Sequence, residues 1–586
     1  MKEVLNIAKK CHNCHKAKCK AACPLGQDIP LITKLIKNDQ INEAANIMFL
    51  HNPFAYVTSL LCNHDKQCYG NCLFQNVDFY RIEQNLSTTY FDQLISYPTM
   101  FEDRLVAIVG GGIAGLTIAH ALLKKGIKPT IYEKNKLGGV IINSIPEFRF
   151  NKSFFKKHIE MIENNANVIY QEINVSNVNI LKKYHHVIFT TGAEVENHSL
   201  DYEDVLLGID TLNKFNNKTL NITNKKVAVI GLGNTACDVA RALKRLNNQV
   251  KIIYRRDISS SLASEKEIAS LIEENISIKE CFNPISFSNH LLVMQKNELI
   301  VNEGTTRKTI VPTNVFEEEE FDYVVEALGS KYSDHLLQEY LQEEYCNIVN
   351  GRKNANSKYF TINVNKQKIS VVGDAYYGAW NIANAINSSL QLVRANYPTY
   401  LFGGSFNPIT IAHAKIINYL SSLSDVIIVP NGDKYNLKDL MSFDHRRKMI
   451  EIELEKILWK NRVYISEFEK STLYKGSIET LRYYNHPVMV IGDDCLLSLH
   501  TWINAKELVS ENRFLVITRN HPKDSLIKYL EQQEILSNFI DHFEIVELFD
   551  DEIKNMSSSS YRLNNNQDVL SNEVINYINN NKLYEV

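Results

Sequence analysis

The stretch "LVAIVGGGIAGLTIAHALLKKGIKPTIYEK", residues 105–134, decides how this chain folds. It reads as an apolar strand, a Gly-x-Gly-x-x-Gly turn, a helix and a second strand that ends in an acid. The three glycines act differently. Gly110 makes the tight turn, Gly112 lets backbone amides approach a pyrophosphate, and Gly115 allows the helix to lie close on the strand. The helix N-terminus adds partial positive charge for that anion. Glu133 is placed to accept hydrogen bonds from an adenosine ribose. The apolar run 106–123 approaches the length of a membrane span, but Gly110, Gly111, Gly112 and Gly115 break it up, as a dinucleotide-binding turn requires.

A second stretch, "KKVAVIGLGNTACDVARALKRLNNQVKIIYRRD" (225–257), repeats the unit with Gly231, Gly233 and Ala236 in the Gly-x-Gly-x-x-Ala variant. Its second strand ends in Arg255 and Arg256, whose guanidinium groups suit a 2'-phosphate and favour NADP(H) over NAD(H). The plainer alternative is two solvated arginines after a strand.

The chain has 586 residues, too many for one hydrophobic core, so about three to five domains are expected. With 45% hydrophobic and 22% charged residues and a net charge of -3, it has the make-up of packed globular domains and gives no electrostatic case for nucleic acid or an anionic membrane. The run Glu317 to Glu320 is expected to be a solvated turn. The first residues, "MKEVLNIAKKCHNC", lack the apolar stretch of a signal peptide, which leads to the expectation of a cytoplasmic protein.

Of 11 cysteines, most lie early: Cys11-x2-Cys14-x4-Cys19-x3-Cys23-Pro24, then Cys62-x5-Cys68-x3-Cys72. Cys237, Cys281, Cys346 and Cys495 are scattered and expected to be ordinary buried small residues. Disulfides do not suit a reducing cytosol. Zinc is the alternative, since Cys-x2-Cys is a common half-site and His12 and His15 lie beside it. The close-spaced run ending in Cys-Pro is the iron-sulfur arrangement. Two four-ligand clusters need one ligand more than these cysteines supply.

These cysteine groups resemble the N-terminal domain shared by the glutamate synthase small subunit and dihydropyrimidine dehydrogenase. The resemblance implies that Cys11, Cys14, Cys19 and Cys72 hold one [4Fe-4S] cluster. Cys23, Cys62 and Cys68 would hold the other, with Glu83 from "VDFYRIEQN" (77–85) as its last ligand. The alternative for Glu83 is a surface carboxylate on a helix. The resemblance to the glutamate synthase small subunit runs over residues 5–395. It takes in "IPEFRF" (145–150), "GNTACD" (233–238), "VVEALGS" (324–330) and "VVGDAYYGAWNIANAI" (371–386). It implies two nested dinucleotide domains in which Gly373 and Asp374 touch the FAD ribityl-pyrophosphate, Ala383 lies near the isoalloxazine and Asn234 joins the nicotinamide-cofactor site. Leu262 stands where that family shows proline. NADPH gives two electrons as hydride and a cluster takes one, so flavin is the converter between them.

After Pro398 the pattern restarts with "PTYLFGGSFNPITIAHAKII" (398–417), a strand, a Gly-Gly turn and a helix that opens on Thr410 and His413. Those two are three apart on one helical face, at a helix N-terminus whose partial positive charge suits phosphate oxygens. With "VIGDDCLLSLHTW" (490–502), "MSSSSYRL" (556–563) and "NYINNNKLY" (576–584), the segment resembles bacterial nicotinate-nucleotide adenylyltransferase over residues 399–586. By that resemblance Gly403, Gly404, Ser405 and Phe406 contact the nucleotides, Thr410 and His413 the triphosphate, and Ser558 and Arg562 its phosphates. Asp494 and Trp502 would serve the pyridine side. Asn407 stands for the commoner Asp, Thr410 for His and Ala412 for Gly, and the loop "PNGDKYNLKDL" (430–440) lacks the Pro-Pro-His-Lys of that family; Lys434 and Lys438 are its candidate phosphate contacts. Thr410, His413 and Arg562 are the expected catalytic groups, acting by positioning and charge neutralisation with Mg2+ and without a protein nucleophile.

The expected architecture is α/β and multidomain. It has a helical double [4Fe-4S] domain (1–100), an FAD domain (101–224 and 328–395), an inserted NADP(H) domain (225–327) and a Rossmann-like nucleotidyltransferase domain (398–586). The expected function is bifunctional: adenylylation of nicotinate or nicotinamide mononucleotide by ATP, joined to an NADPH-dependent oxidoreductase whose acceptor, or partner subunit, is unassigned. The alternatives make the first part a redox sensor or an electron-delivery subunit.

Overall fold

The computed structural model describes residues 1–584 except 15, 75–76, 96, 98–104, 194, 201–204, 302–307, 347–358, 380, 434–439, 458–459, 471–475, 485, 549–553 and 555. The chain divides into two compact units, Met1–Leu392 and Val393–Val586. Among the described residues no helix is long and apolar enough to cross a membrane.

The first unit begins as a helical layer. Helices Lys2–Lys9, Ile29–Lys37, Ile41–His51, Ala55–Leu61 and Phe79–Thr89 turn Val4, Ile7, Ile32, Leu35, Met48, Val57, Ile82 and Leu86 inward. Asp28 starts the second of these by accepting from the Leu31 N–H at 3.1 Å, with Pro30 in the first turn, where a missing donor costs nothing.

Two sheets follow, one nested in the other. The outer sheet has the order Tyr359–Val364, Gln367–Val372, His186–Phe189, Val106–Val109, Thr130–Glu133, Asn167–Tyr170; it is parallel except for its first strand. Val106–Val109 is buried at every position because it is central and covered on both faces. The chain leaves this sheet after Phe189 and returns at Tyr359. In between it builds the parallel sheet Val205–Leu207, Tyr323–Glu326, Lys226–Ile230, Gln249–Tyr254, Ser277–Glu280. That sheet includes a strand upstream of residue 225.

An antiparallel meander, Phe282–Ser288, Leu291–Ile300 and Thr309–Glu320, completes the insertion. Glu317 to Glu320 lie in its last strand and not in a turn. The strand register pairs them with 291–294, while Lys279 neutralises Glu317, and Lys251 and Lys226 neutralise Glu319. Of the scattered cysteines only Cys237 is buried, and Cys346 is exposed; a small residue need not be a core residue.

A buried ionic chain ties the two halves of this unit. Arg149, from the "IPEFRF" segment, pairs with Asp238 on helix Asn234–Arg245 and reaches Glu267 at 3.2 Å, and Glu267 reaches Arg241 at 3.0 Å. Burial pushes the Asp238 carboxyl up to about 6 although Arg149 pulls the other way, and its Oδ1 has no hydrogen-bond partner.

The second unit is a six-stranded parallel sheet in the order Val463–Ile465, Val426–Pro430, Tyr400–Gly404, Val488–Gly492, Phe514–Ile517, Phe543–Val546. The strand order reverses between Tyr400–Gly404 and Val488–Gly492, and in such sheets the crevice beyond the carboxyl ends at the reversal is the ligand site.

Arg149→Leu is expected to cost about 3–5 kcal/mol, because Asp238 is left buried without its partner; urea unfolding of the first unit's transition measures it, and a loss below about 1 kcal/mol contradicts the buried-pair account.

Candidate functional site

The early cysteines gather around one cavity and one buried carboxyl, with Cys68 reaching both. Cys11, Cys14, Cys19 and Cys72 line one cavity, to which Cys68 also contributes. Burial pushes the Cys19 thiol up to about 11, and Cys72 and Cys11 lie within electrostatic reach and add to the rise. Burial likewise raises Cys62 well above its ordinary value, with Glu83, Cys23 and Cys68 adding to it. Cys68 is raised by burial and then by Glu83 and Cys23. Glu83 is 5% exposed, not a surface carboxylate; burial lifts it to about 8, and Asn52 Nδ2 donates to its Oε1 at 3.3 Å. Thiols and a carboxyl gathered where their anions lack a counter-charge are a donor set that a cationic iron cluster fits. Among the described residues, which leave out His15, no group of three or more His, Cys, Asp or Glu side chains is gathered tightly enough for a single metal ion.

Cys23 also marks where this domain meets the outer sheet. The carbonyl of Pro24 accepts from Asn387 Nδ2 at 2.6 Å, and Asn387 stands one turn beyond the buried Ala383 on helix Ile382–Asn396.

At the first glycine turn, Gly110 has φ 107°, and a Cβ there would lie 2.6 Å from the Thr190 carbonyl oxygen. A Cβ on Gly115 would lie 2.0 Å from the Gly110 oxygen. A Cβ on Gly112 meets nothing nearer than 3.9 Å, so the space in front of this helix N-terminus is open to a pyrophosphate. Glu133 is buried; its Oε2 accepts from the Gly111 N–H at 2.6 Å and its Oε1 from the Asn135 N–H at 2.8 Å. Gly373, at φ 69°, sits against Ala114 of the same helix, which brings Asp374 to this end of the sheet.

The second turn repeats the geometry. A Cβ on Gly231 would meet the Ala327 oxygen at 2.6 Å, while Gly233 faces open space at the head of helix Asn234–Arg245. Asn234 Oδ1 accepts from the Ser264 N–H at 3.2 Å, and Ala236 is buried. Arg255 is exposed, whereas Arg256 donates to the Lys308 carbonyl at 2.5 Å. Leu262 is 83% exposed.

In the second unit Thr410 caps helix Ile411–Leu423 in a reciprocal box with His413. The Thr410 N–H donates to His413 Nδ1 at 3.1 Å, which leaves Nε2 as the nitrogen that carries the proton. Burial, and then the charge of Arg519, hold this imidazole down at about 3, so it is a neutral N–H donor at physiological pH. Phe406 is buried with a left-handed φ of 44° and walls His413 edge-on, with ring centroids 5.2 Å apart. Arg562 donates to the Asn407 carbonyl, and Ser558 Oγ to the Pro408 carbonyl at 2.7 Å, which seats helix Ser558–Asn564 on the Gly-Gly loop. Asp494 is exposed in the first turn of Asp493–Ser498, and Trp502 packs on the core that contains Leu499 and Leu508. Lys434 and Lys438 lie outside the described residues.

Arg446, Asp493 and Arg519 of this site carry no sequence signal. Arg446 is fully buried and donates to the carbonyls of Met441 (2.7 Å), Ser405 (2.9 Å) and Asn431 (2.6 Å), locking three loops; its neighbour Arg447 is an ordinary surface residue. Asp493, beside the expected Asp494, accepts from the N–H groups of Arg519, Asn520 and His521 at 2.7–3.1 Å. Burial opposes its charge, but those donors hold it below the ordinary carboxylate range. It thereby fixes the turn that brings Arg519 within reach of His413.

Comparison with known proteins agrees with this geometry. Residues 1–93 match the dihydropyrimidine dehydrogenase domain II, 4Fe-4S cluster family, 104–393 the pyridine nucleotide-disulphide oxidoreductase family, and 401–564 the cytidylyltransferase-like family. The chain is 35% identical over 195 residues to a protein named probable nicotinate-nucleotide adenylyltransferase of Acholeplasma laidlawii, covering 32% of this chain and 96% of that one. It is 30% identical over 296 residues to the NAD-dependent dihydropyrimidine dehydrogenase subunit PreT of Escherichia coli K12, covering 48% and 71%. The chain belongs to both families. Its flavoprotein part is also 28% identical to the glutamate synthase [NADPH] small chain of Azospirillum brasilense, covering 56% and 75%, but spans only 33% of two longer Escherichia coli proteins named putative oxidoreductase YgfK. The protein is thus a fusion of an iron-sulfur flavoprotein oxidoreductase part and a nicotinate-nucleotide adenylyltransferase-like part.

Two substitutions in the oxidoreductase part separate packing from binding. Gly115→Ala is expected to lower both the melting temperature of the flavin-free protein and FAD content, whereas Gly112→Ala is expected to leave the melting temperature of the flavin-free protein unchanged and weaken FAD about tenfold or more; flavin absorbance per chain and thermal melts of the flavin-free protein read both. In the adenylyltransferase part, unfolded His413 takes up a proton below its ordinary value while the folded residue does not, so stability falls as pH drops from about 6.5 toward 5. His413→Asn is expected to remove up to about 2 kcal/mol of that acid-side loss in urea unfolding at the two pH values.

Proposed function

We propose that the second unit transfers the adenylyl group of ATP to nicotinate mononucleotide, and that the first oxidises NADPH and exports electrons, in a cytoplasmic enzyme. The observation that carries the first reading is the Thr410–His413 box at the reversal point of the sheet. A neutral Nε2–H donor and a helix N-terminus are aimed where a triphosphate enters, and Arg562 sits on the same loop. In the reaction a phosphate oxygen of the mononucleotide forms a bond to the α-phosphorus of ATP, the bond to the bridging oxygen breaks, and pyrophosphate leaves. His413 donates a hydrogen bond without giving up its proton, Arg562 and Arg519 balance negative charge, and Arg446 holds the Ser405 loop at its distance. Asp494 and Trp502 serve the pyridine end.

In the first unit Gly110, Gly112 and Glu133, with Gly373 and Asp374, seat FAD. Gly233, Asn234, Arg255 and Arg256 seat NADP(H); Arg256 must release the Lys308 carbonyl to reach a 2'-phosphate. When bound, FAD turns a hydride into single electrons, two [4Fe-4S] clusters store them one at a time, and Mg2+ neutralises ATP in the other unit. The contact between Asn387 and Pro24 favours an order in which the group of Cys23, Cys62, Cys68 and Glu83 lies nearest the flavin and that of Cys11, Cys14, Cys19 and Cys72 lies outward.

Anaerobically purified full-length protein is expected to release pyrophosphate from ATP and nicotinate mononucleotide with Mg2+. His413→Ala is expected to lower kcat about 100-fold or more while NADPH oxidation by ferricyanide continues. Pyrophosphate release that survives His413→Ala refutes the assigned role.

A further inference from the structure

The cavity lined by Cys11, Cys14, Cys19 and Cys72 opens beside two apolar side chains that face solvent, Leu73 at 55% and Phe74 at 50% exposure. Phe74 stacks on the exposed His12, with centroids 3.8 Å apart and planes at 23°. Around this apolar spot Lys9, Lys10, Lys16, Lys18 and Lys20 are all exposed, and Lys10 and Lys18 line the mouth. Residues 1–37 hold eight lysines and only two carboxylates, Glu3 and Asp28. Both are already engaged, Glu3 with Arg81 at 3.3 Å and Asp28 with Lys20 at 2.6 Å. The excess is local, since the whole chain carries -3. Asp28 thus neutralises Lys20, and the remaining like charges of Lys9, Lys10, Lys16 and Lys18 around a small apolar centre repel one another and their counterparts on a second copy of this chain, so they favour an occupant of opposite sign. Small, charge-steered contacts of this kind are what transient electron-transfer pairs use.

We propose that this face docks a protein electron carrier with an acidic surface, which takes electrons singly from the cluster held by Cys11, Cys14, Cys19 and Cys72. The inference rests on the oxidoreductase reading above and names the acceptor class that reading leaves open. The balance closes: one NADPH and two oxidised carriers give NADP+, one proton and two reduced carriers.

The test uses the holoprotein with three probes: cytochrome b5 as an acidic carrier, cytochrome c as a basic one and ferricyanide as a small acceptor. Binding measured by calorimetry, without turnover, is expected to be at least about tenfold tighter for cytochrome b5 than for cytochrome c at low ionic strength, and to weaken severalfold between about 20 and about 200 mM salt. The variant Lys9→Glu, Lys16→Glu changes neither a cysteine nor a residue of the cavity wall. It is expected to raise both Kd and KM for cytochrome b5 about tenfold and to leave unchanged the rate at which NADPH bleaches the flavin. Equal binding of the two cytochromes, or salt-independent binding, overturns the proposal whether or not the variant folds. Absence of ferricyanide reduction by the wild-type holoprotein sinks the oxidoreductase reading, and this proposal with it.

Discussion

Nearly everything in this chain depends on one constraint: a phosphate anion can be held by backbone N–H groups only where a helix N-terminus meets the carboxyl end of a parallel strand with no side chain in the way. The chain meets it at Gly110–Gly115, at Gly231–Ala236 and at Gly404–His413. At the first two turns the sterics are strict, with a carbonyl oxygen 2.6 Å from where a Cβ would stand on Gly110 or Gly231. The third is looser: a Cβ on Gly404 would press on the Phe406 ring at 3.3 Å, a side chain and not a carbonyl, and one on Gly403 would find only ordinary contact at 3.9 Å. There the geometry is kept by Arg446 and by the Thr410–His413 box.

Those turns were legible because their reasons are local. Strand, glycines, helix and terminal residue lie within about thirty positions, and the physical demand on each is visible in the residue type. The partition of the cysteines between two clusters rests on family resemblance alone, since ligands drawn from 11–23 and 62–72 have no local signature; in the structure Cys23 and Cys68 lie within electrostatic reach of Cys62 and Glu83, while Cys11, Cys14, Cys19 and Cys72 line a cavity that Cys68 shares. What stayed hidden depends on distant partners. Nothing marks Arg446 rather than Arg447 as the buried one, because adjacent helical positions differ only in what the fold sets against them. Asp493 and Asp494 look alike in "GDD", yet one fixes the 519–521 turn and the other faces solvent. The acidic run at 317–320 reads as a turn until Lys226, Lys251 and Lys279 are brought beside it by strand pairing.

In the proposed reading the two parts share a pyridine nucleotide and little else. One draws electrons from the reduced dinucleotide; the other joins AMP to a pyridine ribotide and makes a precursor of it. The product of the second is not the substrate of the first, so the fusion is a metabolic pairing and not a channel. Their chemistry differs in the same sense: the oxidoreductase part needs thiols and a buried acid around metal, whereas the adenylyltransferase part works through neutral and cationic hydrogen-bond donors held rigidly.

The most direct test is to count iron, acid-labile sulfide and FAD on one anaerobically purified sample of the full chain. The account predicts about eight irons, about eight sulfides and about one FAD per chain. Iron near one atom per chain without sulfide would mean that Cys11 to Cys72 hold a mononuclear metal, and the electron-transfer half of the account would be wrong.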